Sequence, residues 1–262
     1  MTKIGLALGS GGARGYAHIG AIKALLEEGW EPEVITGSSI GALVGAFYSY
    51  YQDIDEVEKV MLDSYWREIF DMFKPSLTSG VLSGEKVQGF LEEFIGDVYL
   101  EDLETPVGVV ATDFDSNKPV LIRKGKASKA IQASIAFPFF IEPLQVNGKT
   151  LWDGGLSRQV PTLSARQMGA NRVVGVDLNS TPESSKSYNK LNVYEIGVKA
   201  IRSLQFQMTR MSMNEADVKI SPELDATALL GVGTLVKKGE GKKIIERGYK
   251  ETKKVIKCIK EN

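Results

Sequence analysis

One stretch of the sequence, residues 34–51 (VITGSSIGALVGAFYSYY), decides the fold. It begins with three β-branched residues, Val34 to Thr36, which predict a short buried strand. Small residues follow, and then an apolar run from Ile40 to Tyr51 that is long enough for a helix. A strand that passes through a tight turn into a helix is the unit from which parallel α/β sheets are built. We therefore expect a parallel sheet covered by helices.

The alternation of strands and helices continues on both sides of this stretch. Further buried strands are predicted at Ile4–Leu8, Val107–Ala111, Val120–Ile122 and Val173–Asp177. Helical spacing of apolar residues predicts helices at residues 19–26, Thr162–Met168, Val193–Met213 and Lys237–Lys260. A chain of 262 residues, of which 43% are hydrophobic, can bury a full core. We predict one α/β domain over residues 1–262, with a mainly parallel central sheet.

Two segments do not fit this simple alternation. Residues 61–95 carry large apolar side chains on both sides of a Ser- and Gly-rich stretch, Pro75–Gly84, which indicates two helices around a mobile loop. The sequence leaves open whether these helices form a lid, an acyl pocket or part of the core. The segment Asn179–Asn192 is rich in Ser, Asn, Lys and Pro, and is predicted to be a surface loop.

Composition limits the partners and the compartment. The net charge is only -1, so no whole-molecule attraction to nucleic acid is expected. The single cysteine, Cys258, cannot form a disulfide within the chain, which favours a cytoplasmic location. No run approaches the roughly 20 apolar residues that span a bilayer. The segment Lys237–Lys260 has ten Lys or Arg against three Glu, which favours peripheral contact with an anionic membrane surface.

The turn after Val34–Thr36 has the pattern G-x-S-x-G, with Ser39 between Gly37 and Gly41. In a nucleophile elbow this pattern places a serine on a sharp turn between a strand and a helix, where the helix N-terminus stabilises developing negative charge. The pattern alone is common, but here both flanking elements are predicted. Ser39 is therefore the candidate nucleophile, and a tight turn with a structural role only is the alternative.

A second glycine-rich loop, Gly9–Gly15 (GSGGARG), lies between the first strand and the first helix. Its main-chain N–H groups are expected to point at an anion, either a dinucleotide pyrophosphate or the oxyanion of an acyl-transfer intermediate. A dinucleotide fingerprint starting at Gly9 needs glycine where Arg14 stands, and one starting at Ser10 lacks its first glycine. The oxyanion interpretation is favoured over a dehydrogenase site and over a structural turn, and it requires no cofactor or metal.

A serine nucleophile needs a base, and the usual histidine does not fit this chain. The only histidine, His18, precedes Ser39, whereas α/β-hydrolases have the order serine, acid, histidine. We expect His18 to brace the glycine loop or to pack in its helix, so the base must be a carboxylate. Four aspartates are expected at or just past strand ends, where the active sites of open α/β sheets gather, namely Asp113, Asp115, Asp153 and Asp177. Asp153 is the best candidate because Gly154 and Gly155 allow a tight turn against another loop.

An aspartate is a weak base at its ordinary pKa of about 3.9. Asp153 can serve Ser39 only if burial raises that pKa, or if the proton moves as the new C–O bond forms. Burial of the carboxyl group is therefore one condition for the proposed role.

Four motifs follow one another in a fixed order along the chain. They are Gly11–Gly15 (GGARG) with Ala17–Gly20 (AHIG), Gly37–Gly41 (GSSIG), Ala111–Asp113 (ATD), and Ala133–Pro138 (ASIAFP) leading to Asp153–Gly155 (DGG). Together they resemble the patatin-like phospholipase family, in particular its small bacterial members, over most of the chain. The resemblance implies a three-layer α/β/α sandwich and a Ser–Asp dyad, in which Ser39 attacks an ester and Asp153 is the base. It also implies that the glycine loop forms the oxyanion hole.

One position departs from the family pattern. The family motif is G-G-G-x-R-G, and its first glycine is Ser10 in this chain, which leaves Gly11 and Gly12 as the expected oxyanion donors. Arg14 and Gly15 match the rest of the motif. Serine keeps its main-chain N–H group but has less freedom at positive φ. The geometry at Ser10 therefore decides whether its N–H group contributes to the hole.

The function that the resemblance implies is hydrolysis of a lipid or fatty-acyl ester, of the phospholipase A, lysophospholipase or carboxylesterase type. Transfer of the acyl group to another alcohol in place of water would use the same site. The alternative from another class is a non-catalytic lipid-binding or regulatory protein of the same fold.

Overall fold

The computed structural model describes residues 3–63, 82–180, 193–224 and 239–261. The strands in these ranges are β1 (Ile4–Leu8), β2 (Val34–Ser38), β3 (Val107–Asp113), β4 (Pro119–Ile122), β5 (Leu144–Val146), β6 (Lys149–Asp153), β7 (Arg172–Val176) and β8 (Val218–Ile220). The helices are α1 (Tyr16–Glu27), α2 (Ile40–Tyr51), α3 (Ile54–Leu62), α4 (Gly84–Ile95), α5 (Ala127–Ile135), α6 (Thr162–Gln167), α7 (Val193–Met213) and α8 (Glu240–Glu261).

The strands form one mixed sheet in the described part of the chain. Parallel pairing joins β8, β7, β1, β2 and β3 in that order. Antiparallel pairing adds β4 and β6 to β3, and β5 to β6. The predicted mainly parallel sheet is confirmed, but Val120–Ile122 was wrongly predicted as a buried strand. It belongs to β4, which is only partly buried and pairs antiparallel to β3.

Side chains alternate between the two faces of the sheet, as the pleat requires. On one face, Leu6, Leu8 and Ile35 belong to the main core with residues of α1, α2, α3 and α8. On the other face, Ala7 and Val34 pack with residues of α6 and of the α6–β7 turn. The predicted three-layer α/β/α sandwich is confirmed.

The helix that follows the glycine-rich loop is held by a close crossing with the last helix. A Cβ atom at Gly20 of α1 would collide with the carbonyl oxygen of Ile245, and one at Gly248 of α8 with that of Ala17. The two backbones therefore touch, and α8 fixes the helix that begins at the glycine-rich loop. Among the described helices, none is both long enough and apolar enough to cross a bilayer.

The two irregular segments lie only partly within the described residues. The second helix predicted in residues 61–95 is α4, while most of the first helix and of the loop Pro75–Gly84 falls outside them. Residues 181–192 of the predicted surface loop also fall outside. Asn179, at the start of that loop, was wrongly predicted to lie at the surface, since it is buried and hydrogen-bonded.

Candidate active site

Ser39 follows β2 and Asp153 ends β6, and these two strands pair with the same edge of β3. One edge of β3 pairs with β4 at both Val110 and Ala111, so the opposite edge receives the other two strands. There Ser38, the last residue of β2, pairs with Val110, and Asp153, the last residue of β6, pairs with Ala111. Because β2 is parallel and β6 antiparallel to β3, the two strands approach end to end. This arrangement brings together two residues that are 114 positions apart in sequence.

Ser39 occupies a backbone conformation that non-glycine residues rarely adopt. Its φ is 55° and its ψ is -126°, between the end of β2 and the first turn of α2. Such strain is typical of a serine on a nucleophile elbow. The N–H group of Ser39 donates to Ser134 Oγ at 2.8 Å, and that hydroxyl donates to the carbonyl oxygen of Val110 at 2.6 Å. Ser134, from the ASIAFP motif, therefore ties the strained turn to β3.

The hydroxyl of Ser39 contacts the carboxyl group of Asp153 directly. Ser39 Oγ donates to Asp153 Oδ2 at 2.6 Å, and the N–H group of Gly155 donates to Oδ1 at 2.7 Å. Asp153 is only 1% exposed. Burial raises the pKa of Asp153 to about 6, against the opposing effect of these hydrogen bonds and of the positive charge of Arg202. The carboxyl group thus meets the burial condition for a base.

The turn after Asp153 depends on the two glycines that follow it. A Cβ atom at Gly154 would collide with the carbonyl oxygen of Val110, and one at Gly155 would lie 2.5 Å from Ser10 Oγ. The chain can therefore cross the end of β3 and reach the glycine-rich loop only without side chains at these positions. Thr112 fixes the turn from below, because its hydroxyl donates to the carbonyl oxygen of Asp153 at 2.7 Å.

The glycine-rich loop presents two main-chain donors at Gly11 and Gly12. Within the described residues, the N–H groups of these two glycines donate to no acceptor. Positive φ falls on Gly12, at 54°, and not on Ser10. The N–H group of Ser10 donates to the carbonyl oxygen of Gln159 at 2.9 Å, so it is not available to an oxyanion. Serine at position 10 is thus compatible with the loop, but it supplies no main-chain donor.

Three more glycines of the motifs bring the loop and the elbow together. A Cβ atom at Gly15 would collide with the side chain of Ile40, directly after the serine. One at Gly37 would collide with the main chain of Ala42, and one at Gly41 with the carbonyl oxygen of Leu8. Any larger residue at these positions would push the loop, the elbow or β1 apart.

His18 braces the glycine-rich loop, as expected. Its Nε2 atom lies 2.7 Å from the carbonyl oxygen of Gly9 and therefore donates to it. Burial lowers the pKa of His18 to about 4, so the ring is neutral near pH 7. A neutral ring whose proton points at a carbonyl group stabilises the loop and has no contact with Ser39 in the described residues.

Two of the other candidate aspartates, Asp113 and Asp115, belong to the turn after β3. Asp113 accepts a hydrogen bond from the N–H group of Asp115 at 3.1 Å and lies 3.3 Å from Lys149 Nζ. The ion pair and these hydrogen bonds outweigh the effect of burial and lower the pKa of Asp113. Asp115 is exposed. The structure brings neither carboxylate to Ser39.

Asp177 follows β7 and resembles Asp153 in its burial but not in its contacts. Its Oδ1 atom accepts a hydrogen bond from the N–H group of Asn179 at 2.6 Å. Burial raises the pKa of Asp177 to about 6, with Asn179 and the positive charge of Arg14 opposing the rise. The guanidinium group of Arg14 donates to the side-chain oxygen of Asn179. Arg14 therefore points toward Asn179 and Asp177 and links the glycine-rich loop to the end of β7.

Sequence reasoning missed the contribution of α7 to the site. Gln205 donates to the carbonyl oxygen of Gly155 at 3.1 Å, and the guanidinium group of Arg202 lies 5.6 Å from the centre of the Phe137 ring. The charge of Arg202 also acts on Asp153. Both residues lie in a helix predicted from spacing alone, and no motif marks them.

Comparisons with known proteins identify the family to which the chain belongs. Residues 6–166 match the family model for patatin-like phospholipases. An uncharacterized NTE family protein of Mycobacterium tuberculosis is 39% identical over 180 residues, 68% of this chain and 50% of the relative. Lysophospholipase NTE1 of Saccharomyces cerevisiae is 33% identical over 186 residues, 69% of this chain and 11% of that protein. This chain therefore spans half or less of the length of these relatives.

The crystal structure of VipD from Legionella pneumophila has a similar fold. Its TM-score is 0.61, and the superposition covers 98% of this chain and 67% of VipD at 15% sequence identity. At that identity the likeness concerns the fold alone. The family match, the relatives and the ordered motifs agree, and the chain belongs to the patatin-like phospholipase family, whose members are generally lipid hydrolases.

Proposed function

We propose that the protein is a serine lipid acyl hydrolase that uses Ser39 and Asp153 as a catalytic dyad. The observation that carries this proposal is the 2.6 Å hydrogen bond from Ser39 Oγ to Asp153 Oδ2. The donor lies on a strained elbow at the start of α2, and the acceptor is a buried carboxyl group with a raised pKa. A serine beside a positioned base is the arrangement that nucleophilic catalysis requires.

In the first half-reaction, Ser39 Oγ attacks the carbonyl carbon of the ester while Asp153 takes the hydroxyl proton. The carbonyl oxygen becomes negative and accepts hydrogen bonds from the N–H groups of Gly11 and Gly12. The C–O bond to the alcohol then breaks, and Asp153 returns the proton to the leaving alcohol. In the second half-reaction, Asp153 takes a proton from the water that attacks the acyl-enzyme carbonyl carbon. The bond between that carbon and Ser39 Oγ then breaks, Asp153 returns the proton to Ser39 Oγ, and the fatty acid leaves.

The substrate class that we propose is a lipid or fatty-acyl ester, of the phospholipid, lysophospholipid or simple carboxylic ester type. The family and the yeast relative, which is named a lysophospholipase, support this class. Acyl transfer to an alcohol would follow if the alcohol replaced water in the second half-reaction. A non-catalytic lipid-binding role is the competing proposal, and the hydrogen-bonded state of Ser39 and Asp153 argues against it.

Labelling with a fluorophosphonate probe tests this proposal. We expect the wild-type protein to form one covalent adduct, on Ser39, because only an activated serine reacts with the probe. Ser39→Ala should abolish the adduct, whereas Ser203→Ala, which removes an exposed hydroxyl on α7, should leave it unchanged. No adduct on the wild type, or equal labelling of Ser39→Ala, contradicts the proposal. A panel of phospholipid, lysophospholipid, monoglyceride and short-chain esters would then define the headgroup and chain length.

We also propose that the protein acts in the cytoplasm and contacts a membrane surface peripherally. Several lysines of the basic helix α8 are in ion pairs, among them Lys243 with Glu240 and Lys253 with Glu28. Their charge is therefore partly neutralised within the protein. The outer face of α7 is a stronger candidate, since Val193, Leu204 and Met211 are 87%, 67% and 73% exposed.

Vesicle binding separates these two surfaces. Gln205, the residue after Leu204 on α7, is buried and donates to the carbonyl oxygen of Gly155, so membrane contact through Leu204 and Met211 would bring a helix that borders the site to the lipid surface. Leu204→Glu with Met211→Glu should reduce sedimentation with anionic vesicles strongly. Neutralising Lys242, Lys243, Lys253 and Lys254 should reduce it less. Unchanged binding in both variants contradicts peripheral contact through these helices.

A further inference from the structure

We infer that Ser10 and Gln159 are positioning residues, which hold the oxyanion loop in register with the turn that carries Asp153. The inference rests on the proposed function and assigns roles to two side chains that belong neither to the proposed dyad nor to the oxyanion donors. It starts from the one position where this chain departs from the family pattern, serine in place of the first glycine.

The side chain of Gln159 is the centre of a buried hydrogen-bond network. Its Oε1 atom accepts from Ser10 Oγ at 2.8 Å and from Asn179 Nδ2 at 2.9 Å. Its Nε2 atom donates to the carbonyl oxygen of Gly155 at 2.7 Å. Gln159 is fully buried, and Ser10 is nearly so. In such surroundings each polar group that loses its hydrogen-bond partner lowers the stability of the fold. The network therefore permits one arrangement of the Gln159 side chain.

The network forms a continuous path from the glycine-rich loop to the nucleophile. It runs from the Ser10 hydroxyl through the amide of Gln159 to Gly155, whose N–H group donates to Asp153, and Asp153 accepts from Ser39. The oxyanion donors and the base must hold their relative positions within a fraction of an ångström for efficient acyl transfer. A direct side-chain link between the two loops meets that need.

The main chain of Ser10 is fixed at both of its polar groups. Its N–H group donates to the carbonyl oxygen of Gln159 at 2.9 Å, and its carbonyl oxygen accepts from Asn179 Nδ2 at 2.8 Å. The next two residues, Gly11 and Gly12, keep their N–H groups for a ligand. Ser10 therefore anchors the loop directly before its donors. A glycine at this position would keep the two main-chain contacts but lose the hydroxyl that binds Gln159.

The test compares Ser10→Ala, Ser10→Gly, Gln159→Met and the double variant Ser10→Ala with Gln159→Met. Each single variant should lower kcat about tenfold and leave KM nearly unchanged. The substitution displaces the donors of the loop, and these donors stabilise the transition state more than the bound substrate. Ser10→Gly should behave like Ser10→Ala, since both lack the hydroxyl. The double variant should lose little more than Gln159→Met alone, because both changes break one path.

Affinity for a tetrahedral inhibitor separates positioning from general stability. A long-chain trifluoromethyl ketone should bind the Ser10 and Gln159 variants more weakly, in parallel with their loss of kcat. The matched control is Thr252→Val, which removes a buried hydroxyl that donates to the carbonyl oxygen of Gly248 on α8. It should lower thermal stability to a similar degree and leave both kcat and inhibitor affinity unchanged.

The outcomes distinguish this inference from the proposed function. If the wild type fails to react with the fluorophosphonate, the hydrolase proposal fails. If the wild type reacts while the folded Ser10 and Gln159 variants keep wild-type kcat and inhibitor affinity, only the positioning role is overturned. Equal losses of kcat in Thr252→Val and Ser10→Ala would also overturn it, since general stability would then explain both.

Discussion

Asp153 and Asp177 are two buried aspartates, each of which ends or follows a strand of the same sheet. Burial raises the pKa of both to about 6. Both accept a hydrogen bond from the main-chain N–H group two residues further on, from Gly155 and Asn179 respectively. They differ in their second partner. Asp153 accepts from the hydroxyl of Ser39, whereas Asp177 lies in the field of the Arg14 guanidinium group.

The difference shows that a raised pKa does not identify a catalytic base by itself. Burial gives any carboxyl group a higher pKa, because the charged form loses its hydration. A base must also reach the proton that it removes. Of the two aspartates, only Asp153 hydrogen-bonds to Ser39, so the comparison separates a proposed catalytic carboxylate from a structural one. Substituting asparagine at each position tests this separation.

The largest expected difference is in catalysis. Asp153→Asn should lower kcat/KM for a short-chain ester by about 10³-fold, because an amide cannot take the proton of Ser39. Asp177→Asn should stay within about fivefold of the wild type, because the amide oxygen can still accept from Asn179. Steady-state kinetics on both variants at pH 8 measures the effect. Similar losses in the two variants would remove the distinction between the aspartates.

A smaller effect is expected on stability, in the same direction for both variants. The folded state of Asp153 binds its proton more tightly than the unfolded chain does, so this group favours folding below pH 3.8 and loses that contribution as the pH rises through about 6. The rise in pKa corresponds to at most about 3 kcal/mol. Asp153→Asn should therefore raise the unfolding free energy at pH 8 and change it little at pH 3.5.

Asp177→Asn is the matched comparison in that experiment. Its carboxyl group has a similarly raised pKa, so its neutralisation should also stabilise the fold at pH 8 relative to pH 3.5. Urea unfolding at the two pH values gives both differences. If both variants were less stable than the wild type at pH 8, burial of the charged carboxylates would not destabilise the fold, and this explanation of the raised pKa values would be wrong.

The smallest expected effect is the pH dependence of kcat/KM, which should fall about tenfold for each pH unit below the apparent pKa of the base. Activity should fall as the pH drops through about 6, because Asp153 becomes protonated. His18 cannot produce this limb, since its pKa is lowered to about 4. Asp177→Asn should keep the limb. If Asp177→Asn lost this limb, the limb would report the titration of Asp177 and not of Asp153, which would contradict the prediction.

Local patterns were sufficient to predict the elbow at Ser39 and the glycine turn that follows Asp153. Ser39 lies between a β-branched strand and an apolar helix, and Asp153 precedes two glycines, so both signals are short in sequence. The way in which they meet was not predictable from pattern. The strand β6 (KTLWD) contains polar residues and is only five residues long, and its antiparallel pairing with β3 leaves no periodic signal.

The supporting residues were hidden for a different reason. Gln and Asn side chains are usually exposed, so the sequence gives no reason to expect Gln159 and Asn179 in the interior. Both are buried because each has several hydrogen-bond partners, some of them in distant segments. Arg202 reaches the site from α7, 49 positions after Asp153. Such long-range polar contacts depend on tertiary structure, and a single sequence carries no local sign of them.

The central claim is that Asp153, and not Asp177, activates Ser39. The most direct measurement is the rate at which a fluorophosphonate labels Ser39 in the wild type, Asp153→Asn and Asp177→Asn at pH 8. We expect Asp177→Asn to react at nearly the wild-type rate and Asp153→Asn at least about 100-fold more slowly, since only the second variant lacks the base. Labelling of Asp153→Asn at the wild-type rate would contradict the dyad.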